Sequence, residues 1–201
     1  MRAPTTRICV VGDDLVAGVG DPRALGWVGR VAARTRTEHD AVAATVMPLG
    51  VPGETTSALR ERWYAEASRR WSRTDDRLVI GLGAADAAVG STLARSRLNL
   101  ADVLDTAAAQ DVPAFVVGPP PPLDPSLRSA VAELAGGWAD VASRRGVPYV
   151  DCFGPLAHHE QWLADLAEGD GVHPGQVGYG LLAWLVLHGG WHAWLGLPLT
   201  P

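Results

Sequence analysis

The sequence predicts an α/β fold: one three-layer α/β/α domain over residues 1–201, built on a five-stranded parallel sheet. Three observations predict it. Short apolar runs of strand length alternate with longer amphipathic stretches along all 201 residues. The apolar runs are not broken by polar residues, as expected for strands covered on both faces. A hydrophobic content of 47% with 19% charged residues suits one substantial core.

Taken in order, Arg7 to Val11 reads as the first strand and stops at Gly12-Asp13-Asp14. A glycine-rich connection leads to Trp27, and Trp27 to Thr35 carries apolar residues at helical spacing. Ala41 to Met47 reads as the second strand, and Pro48 to Gly53 as a loop by composition. Glu54 to Trp71 reads as a long amphipathic helix, with Trp63 and Trp71 on its buried face. Arg77 to Leu82 is the third strand, ending in Gly83-Ala84-Ala85-Asp86. Leu93 to Ala109 is a helix and Ala114 to Val117 the fourth strand. Pro119 to Pro122 then form a stiff loop that cannot join a ladder, either as a pocket wall or as a turn. Pro125 to Arg145 reads as a helix that Gly136-Gly137 could interrupt. Val147 to Asp151 is a short fifth strand, His158 to Ala167 a short helix, and Gln176 to Leu187 the last helix. Trp191 and Trp194 are expected to pack the tail onto the body.

Composition excludes several functions. The net charge is −5 and no basic patch stands out, which argues against nucleic acid as a partner. All 17 basic residues are arginine, which rules out lysine Schiff bases and lysine-dependent phosphate loops. The longest apolar run, Leu181 to Leu187, is too short to span a bilayer, and the first strand begins without a cleavable leader pattern. A cytoplasmic protein without membrane insertion is expected. Cys9 and Cys152 are expected to be buried free thiols. His188 and His192 share a helical spacing, yet Gly189-Gly190 between them argues against one continuous helix and a metal pair. His158 and His159 precede a helix in surface or capping positions.

Four loops that follow strands, and one before the last helix, carry the polar chemistry. Loops after parallel strands open on one edge of the sheet, so Asp13, Asp14, Gly53, Asp86, Asp170 and His173 can converge there. Asp170 and His173 stand three apart and can pair as carboxylate and imidazole.

These blocks resemble the SGNH hydrolases, the GDSL-type esterases and lipases, over nearly the whole chain. Gly12-Asp13-Asp14-Leu15 is similar to the family's G-D-S-L block, and Leu49-Gly50-Val51-Pro52-Gly53-Glu54-Thr55 to the block whose glycine donates an oxyanion N–H. Gly83-Ala84-Ala85-Asp86 is similar to G-x-N-D, and Asp170-Gly171-Val172-His173 to the D-x-x-H block that completes the triad. The resemblance implies a flavodoxin-like SGNH-hydrolase architecture, a small-molecule substrate or ligand, and no cofactor. It implies His173 and Asp170 as catalytic residues and Gly53 as the backbone oxyanion donor. Asp13, and with it Asp86, would be structural residues beside the site.

Two positions depart from the pattern. Asp14 stands where the family has its serine nucleophile, and Ala85 where it has an asparagine oxyanion donor. An acyl-serine route needs a hydroxyl proton that a carboxylate lacks, and losing one oxyanion donor alone costs about 10²–10³ in rate. Three readings of Asp14 remain open. In an altered enzyme, the carboxylate attacks a saturated carbon and His173 drives hydrolysis of the resulting ester, or Asp14 and His173 act as base and acid in an elimination or cyclisation. In a pseudo-enzyme the site binds a ligand or partner without turnover. In a metal site, Asp13, Asp14, Asp170 and His173 would be the ligands. Residual esterase activity is a further alternative. Arg23 and Arg128 could meet an acidic substrate, though no spacing places them there.

Overall fold

The computed structural model describes residues 6–37 and 41–197. Strand β1 (Thr6–Gly12) pairs in parallel with β2 (Ala44–Gly50) on one side and β3 (Asp75–Gly81) on the other. β4 (Ala114–Val117) and β5 (Tyr149–Val150) extend the sheet in the order β2-β1-β3-β4-β5. Helices α1 (Asp14–Ala17) and α2 (Gly26–Arg34) follow β1, and α3 (Thr56–Ala67) follows β2. α4 (Ala85–Ala88) and α5 (Leu93–Ala109) follow β3, and α6 (Pro125–Ser143) follows β4. α7 (Phe153–Leu156), α8 (Glu160–Ala167), α9 (Gln176–Val186) and α10 (His192–Leu195) complete the chain. This is a single α/β domain of three layers with a five-stranded parallel sheet.

Strand side chains alternate between faces, and both faces are apolar. Ile8, Val10, Val79 and Phe115 point into one core, with Trp27 and Val31 of α2, Trp162 of α8 and Tyr179 and Val186 of α9. Cys9, Val11, Leu78, Ile80 and Val116 point into the other, with Leu59 and Trp63 of α3, Leu100 and Leu104 of α5 and Trp138 of α6. Cys9 and Cys152 are fully buried in opposite cores and carry free thiols, so no disulfide joins them. Burial pushes the Cys9 thiol up to about 11 and the Cys152 thiol higher still, which leaves both protonated and inert.

Several boundaries differ from the expected ones. β2 begins at Ala44 rather than Ala41 and continues through Pro48 and Leu49 to Gly50. β2 is an edge strand, where a missing N–H can face away from the ladder, so proline is tolerated within it. Val42 instead makes an isolated bridge with Arg36. β3, by contrast, begins earlier than expected, at Asp75, and β5 is only two residues long. α3 ends at Ala67, so Trp71 lies beyond the helix and meets Trp63 edge-on at 6.3 Å. α6 runs through Gly136-Gly137 without a break. A Cβ at Gly137 would lie 2.7 Å from Leu93 Cδ1, so the glycine serves the close packing of α5 on α6. The short helices α1, α4 and α7 have no counterpart in the sequence pattern, being shorter than the window over which periodicity can be read.

Non-helical dihedrals at Gly189 and Gly190 interrupt the chain between α9 and α10. His188 stacks on Trp184 and His192 is buried, so the two imidazoles do not pair. Trp191 and Trp194 pack on Phe115 at 5.6 and 5.1 Å between ring centroids. Among the described residues, no helix is long and apolar enough to cross a membrane.

Candidate active site

The register places Gly12, Gly50 and Gly81 level at the ends of three adjacent strands. The loops that follow therefore open on one edge, as the parallel topology requires. There they surround a cavity of about 290 Å³ lined by Asp13, Asp14, Leu15, Gly53, Gly83, Ala84, Ala85, Ala88, Pro120, Pro122, Leu127, Val172 and His173.

Asp14 opens α1, and its carboxylate divides between two partners. The Gly53 N–H donates to Asp14 Oδ2 at 2.7 Å. Asp14 Oδ1 lies 3.5 Å from His173 Nε2, longer than an ordinary hydrogen bond. Gly53 adopts φ +74°, a conformation that L side chains rarely take, in the turn that presents this N–H. On its other side, His173 Nδ1 meets Asp170 Oδ2 at 2.5 Å. Asp170 Oδ1 also accepts the Val172 and His173 N–H groups, so the residue is pinned although its side chain is 57% exposed. Burial works upward on Asp170, but the hydrogen bonds from His173 and Val172 outweigh it and hold the carboxyl at about 2. Asp170 thus remains ionised, fixes the ring orientation of His173 and stabilises an imidazolium when one forms.

Asp13 faces the other way. Its Oδ1 accepts the Leu15 N–H at 3.1 Å and its Oδ2 the Gly83 N–H at 2.6 Å. It caps α1 and ties the β1 loop to the β3 loop. Burial pushes its carboxyl up to about 7, against the downward pull of those two N–H groups. Asp86 is likewise spent on structure: Oδ1 accepts the Thr56 N–H at 3.1 Å and Oδ2 the Ser96 hydroxyl at 2.6 Å. Ser96 in turn accepts the Trp138 indole N–H at 2.9 Å, so one network joins α3, α4, α5 and α6 behind the cavity. Ala85 contributes a methyl group to the wall and no side-chain donor. Asp13 and Asp170 have committed their oxygens, and among the described residues no three His, Cys, Asp or Glu side chains form a metal-ligand set.

Some contributors had no signal in the sequence. Gly20 adopts φ +88°, and a Cβ there would lie 2.8 Å from Pro174 O and 3.3 Å from His173 Cβ. The loop around it is held by Asp21, which accepts the Arg23, Leu25 and Gly26 N–H groups and pairs with Arg30. The Tyr179 hydroxyl donates to Val19 O at 2.6 Å. Asp165 accepts the Gly175 and Gly178 N–H groups, clamping the start of α9 behind His173. Pro120 and Pro122 line the cavity, and the Trp162 indole donates to Pro121 O, so the proline run is a wall. Arg128 turns to the carbonyls of Pro122 and Leu123, and neither it nor Arg23 lines the cavity.

A parallel α/β sheet with an imidazole–carboxylate pair and a backbone N–H meeting at its strand ends defines a hydrolase fold of the SGNH type. The family model for GDSL-like lipases and acylhydrolases matches residues 10–181, and the chain belongs to that family. A search of curated protein sequences finds no match. Among solved structures, the chain is similar to a lipase/acylhydrolase from Enterococcus faecalis, with 25% identity, TM-score 0.75, and 97% of this chain and 98% of that one covered. A catalytic mutant of an acetylxylan esterase from Geobacillus stearothermophilus shares the fold at 16% identity and TM-score 0.78, over 100% and 98% of the two chains. A psychrotrophic esterase from Pseudoalteromonas sp. shares it at 19% identity and TM-score 0.73, over 94% and 98%.

Proposed function

We propose that this chain is a hydrolase in which the Asp14 carboxylate is the nucleophile and the substrate is an alkyl electrophile. One observation carries the reading: Asp14 Oδ2 already occupies the Gly53 N–H while Oδ1 is left beside His173. That division suits a two-step reaction. Oδ1 attacks a saturated carbon, forming a C–O bond as the carbon–halogen bond breaks and halide leaves. The product is an alkyl ester whose carbonyl oxygen is Oδ2, held by Gly53. Water beside His173 then attacks Cγ, giving its proton to Nε2, and the oxyanion develops on the oxygen that Gly53 already binds. Collapse releases the alcohol and restores the carboxylate. The net change is halide replaced by hydroxide with one proton released. A strained cyclic ether reacts in the same way, its ring oxygen taking a proton from water, with net addition of one water.

The same geometry argues against ester hydrolysis of the ordinary kind. There is no hydroxyl at position 14, the Gly53 N–H is engaged, and residue 85 supplies no side-chain donor. That engaged N–H also supports a second reading, in which the site binds a ligand without turnover. The test is a His173→Ala variant incubated with 1-bromobutane and with 1,2-epoxybutane, read by intact mass and peptide mapping. An adduct on Asp14 that accumulates in the variant and turns over in the wild type supports the enzyme. Absence of any Asp14 adduct in both proteins refutes it and leaves the binding reading.

A further inference from the structure

We infer that the electrophile Asp14 takes carries no negative charge, an inference that rests on the carboxylate-nucleophile reading above. The cavity is lined mainly by apolar residues, among them Leu15, Ala84, Ala88, Pro120, Leu127 and Val172. Its titratable groups are Asp13, Asp14 and His173, and among the described residues no arginine lines it. The chain contains no lysine. Of the arginines near the surrounding loops, Arg128 is committed to the Pro122 and Leu123 carbonyls, Arg62 to Glu54 and Glu66, and Arg30 to Asp21, while Arg23 is exposed and outside the cavity lining. A positive charge on His173 would stand between two carboxylates, Asp170 at 2.5 Å and Asp14 at 3.5 Å, so the group of three keeps a net negative charge.

An anionic substrate therefore meets a carboxylate and finds no cation to pair with. A second negative charge about 8 Å from Asp14, the reach of an extended six-carbon chain, is disfavoured about 30-fold at an effective dielectric constant of about 20. An uncharged chain of the same length loses nothing and gains by leaving water. The specificity is thus set by the absence of a partner as much as by the fit of the walls.

The experiment compares 6-bromohexanamide with 6-bromohexanoate on the His173→Ala variant, with rates of Asp14 alkylation read by intact mass and peptide mapping. Each rate is normalised to that of the same compound with free acetate. Bromide release by the wild-type protein gives an independent measure that does not depend on the folding of the variant. Alkylation by the amide about 30-fold faster than by the carboxylate supports the inference. Equal rates overturn it and leave the carboxylate nucleophile standing. No Asp14 adduct from either compound, with no bromide release, overturns the nucleophile reading itself.

Discussion

Replacing Asp13 with asparagine removes a buried acid and with it a pH dependence of stability. In the folded protein the Asp13 carboxyl ionises near 7 because it is buried, against 3.8 when exposed. Between these values the folded state holds one more proton than the unfolded state, so stability falls as pH rises. At 1.36 kcal/mol per pH unit of difference, the loss attributable to Asp13 between pH 5 and pH 7 is about 2 kcal/mol. Asp21 and Asp170, held at about 2, contribute their own loss only on further acidification and do not fall in this window. Asp13→Asn keeps the shape and abolishes the titration. It also turns an amide NH₂ toward one of the two N–H donors, Leu15 or Gly83, at a pH-independent cost of about 1–3 kcal/mol. Urea unfolding of both proteins at pH 5, 6 and 7 measures the difference. The wild type should lose about 2 kcal/mol relative to the variant across that range. Parallel pH profiles for the two proteins would refute the argument that burial governs this carboxyl.

Three further outcomes follow from the site. Gly20→Ala forces a Cβ to within 2.8 Å of Pro174 O at a positive φ and so displaces the His173 loop; decay of the Asp14 alkyl ester should slow at least about tenfold while its formation is unchanged, as read by the time course of adduct mass. Ser96→Ala leaves the Asp86 carboxylate and the Trp138 indole without their buried partner, and should lower stability by about 2–4 kcal/mol in urea titrations. Asp14→Ser combined with Ala85→Asn restores a hydroxyl and an amide donor beside Gly53 and His173. Hydrolysis of p-nitrophenyl acetate should appear and exceed that of Asp14→Ser alone by about 10²–10³-fold.

The layers of the fold were legible because strands buried on both faces read as unbroken apolar runs, as in Leu78-Val79-Ile80. β2 was harder to place. Its Pro48 and Gly50 carry the composition of a loop, and only its edge position makes them acceptable in a strand. The polar members of the site were visible as blocks at the ends of apolar runs, so the meeting of Asp14, Gly53, His173 and Asp170 could be expected from order alone. The division of the Asp14 oxygens could not, because it depends on the turn at Gly53 and not on residue type. Nor could the role of Gly20. One glycine in a glycine-rich connection looks like any other until the loop is seen lying against a residue 153 positions away.

The bond from Tyr179 to Val19 joins residues 160 positions apart, and that from Arg30 to Gln176 residues 146 apart. Closing loops of that length is entropically costly and is rewarded only when the last helix docks. The first strand and its two aspartates leave the ribosome long before the imidazole that faces them. A nascent or C-terminally shortened chain can therefore hold part of the sheet without holding a site. During refolding, binding or turnover should be recovered after the secondary structure, on the time scale of α9 settling onto α2.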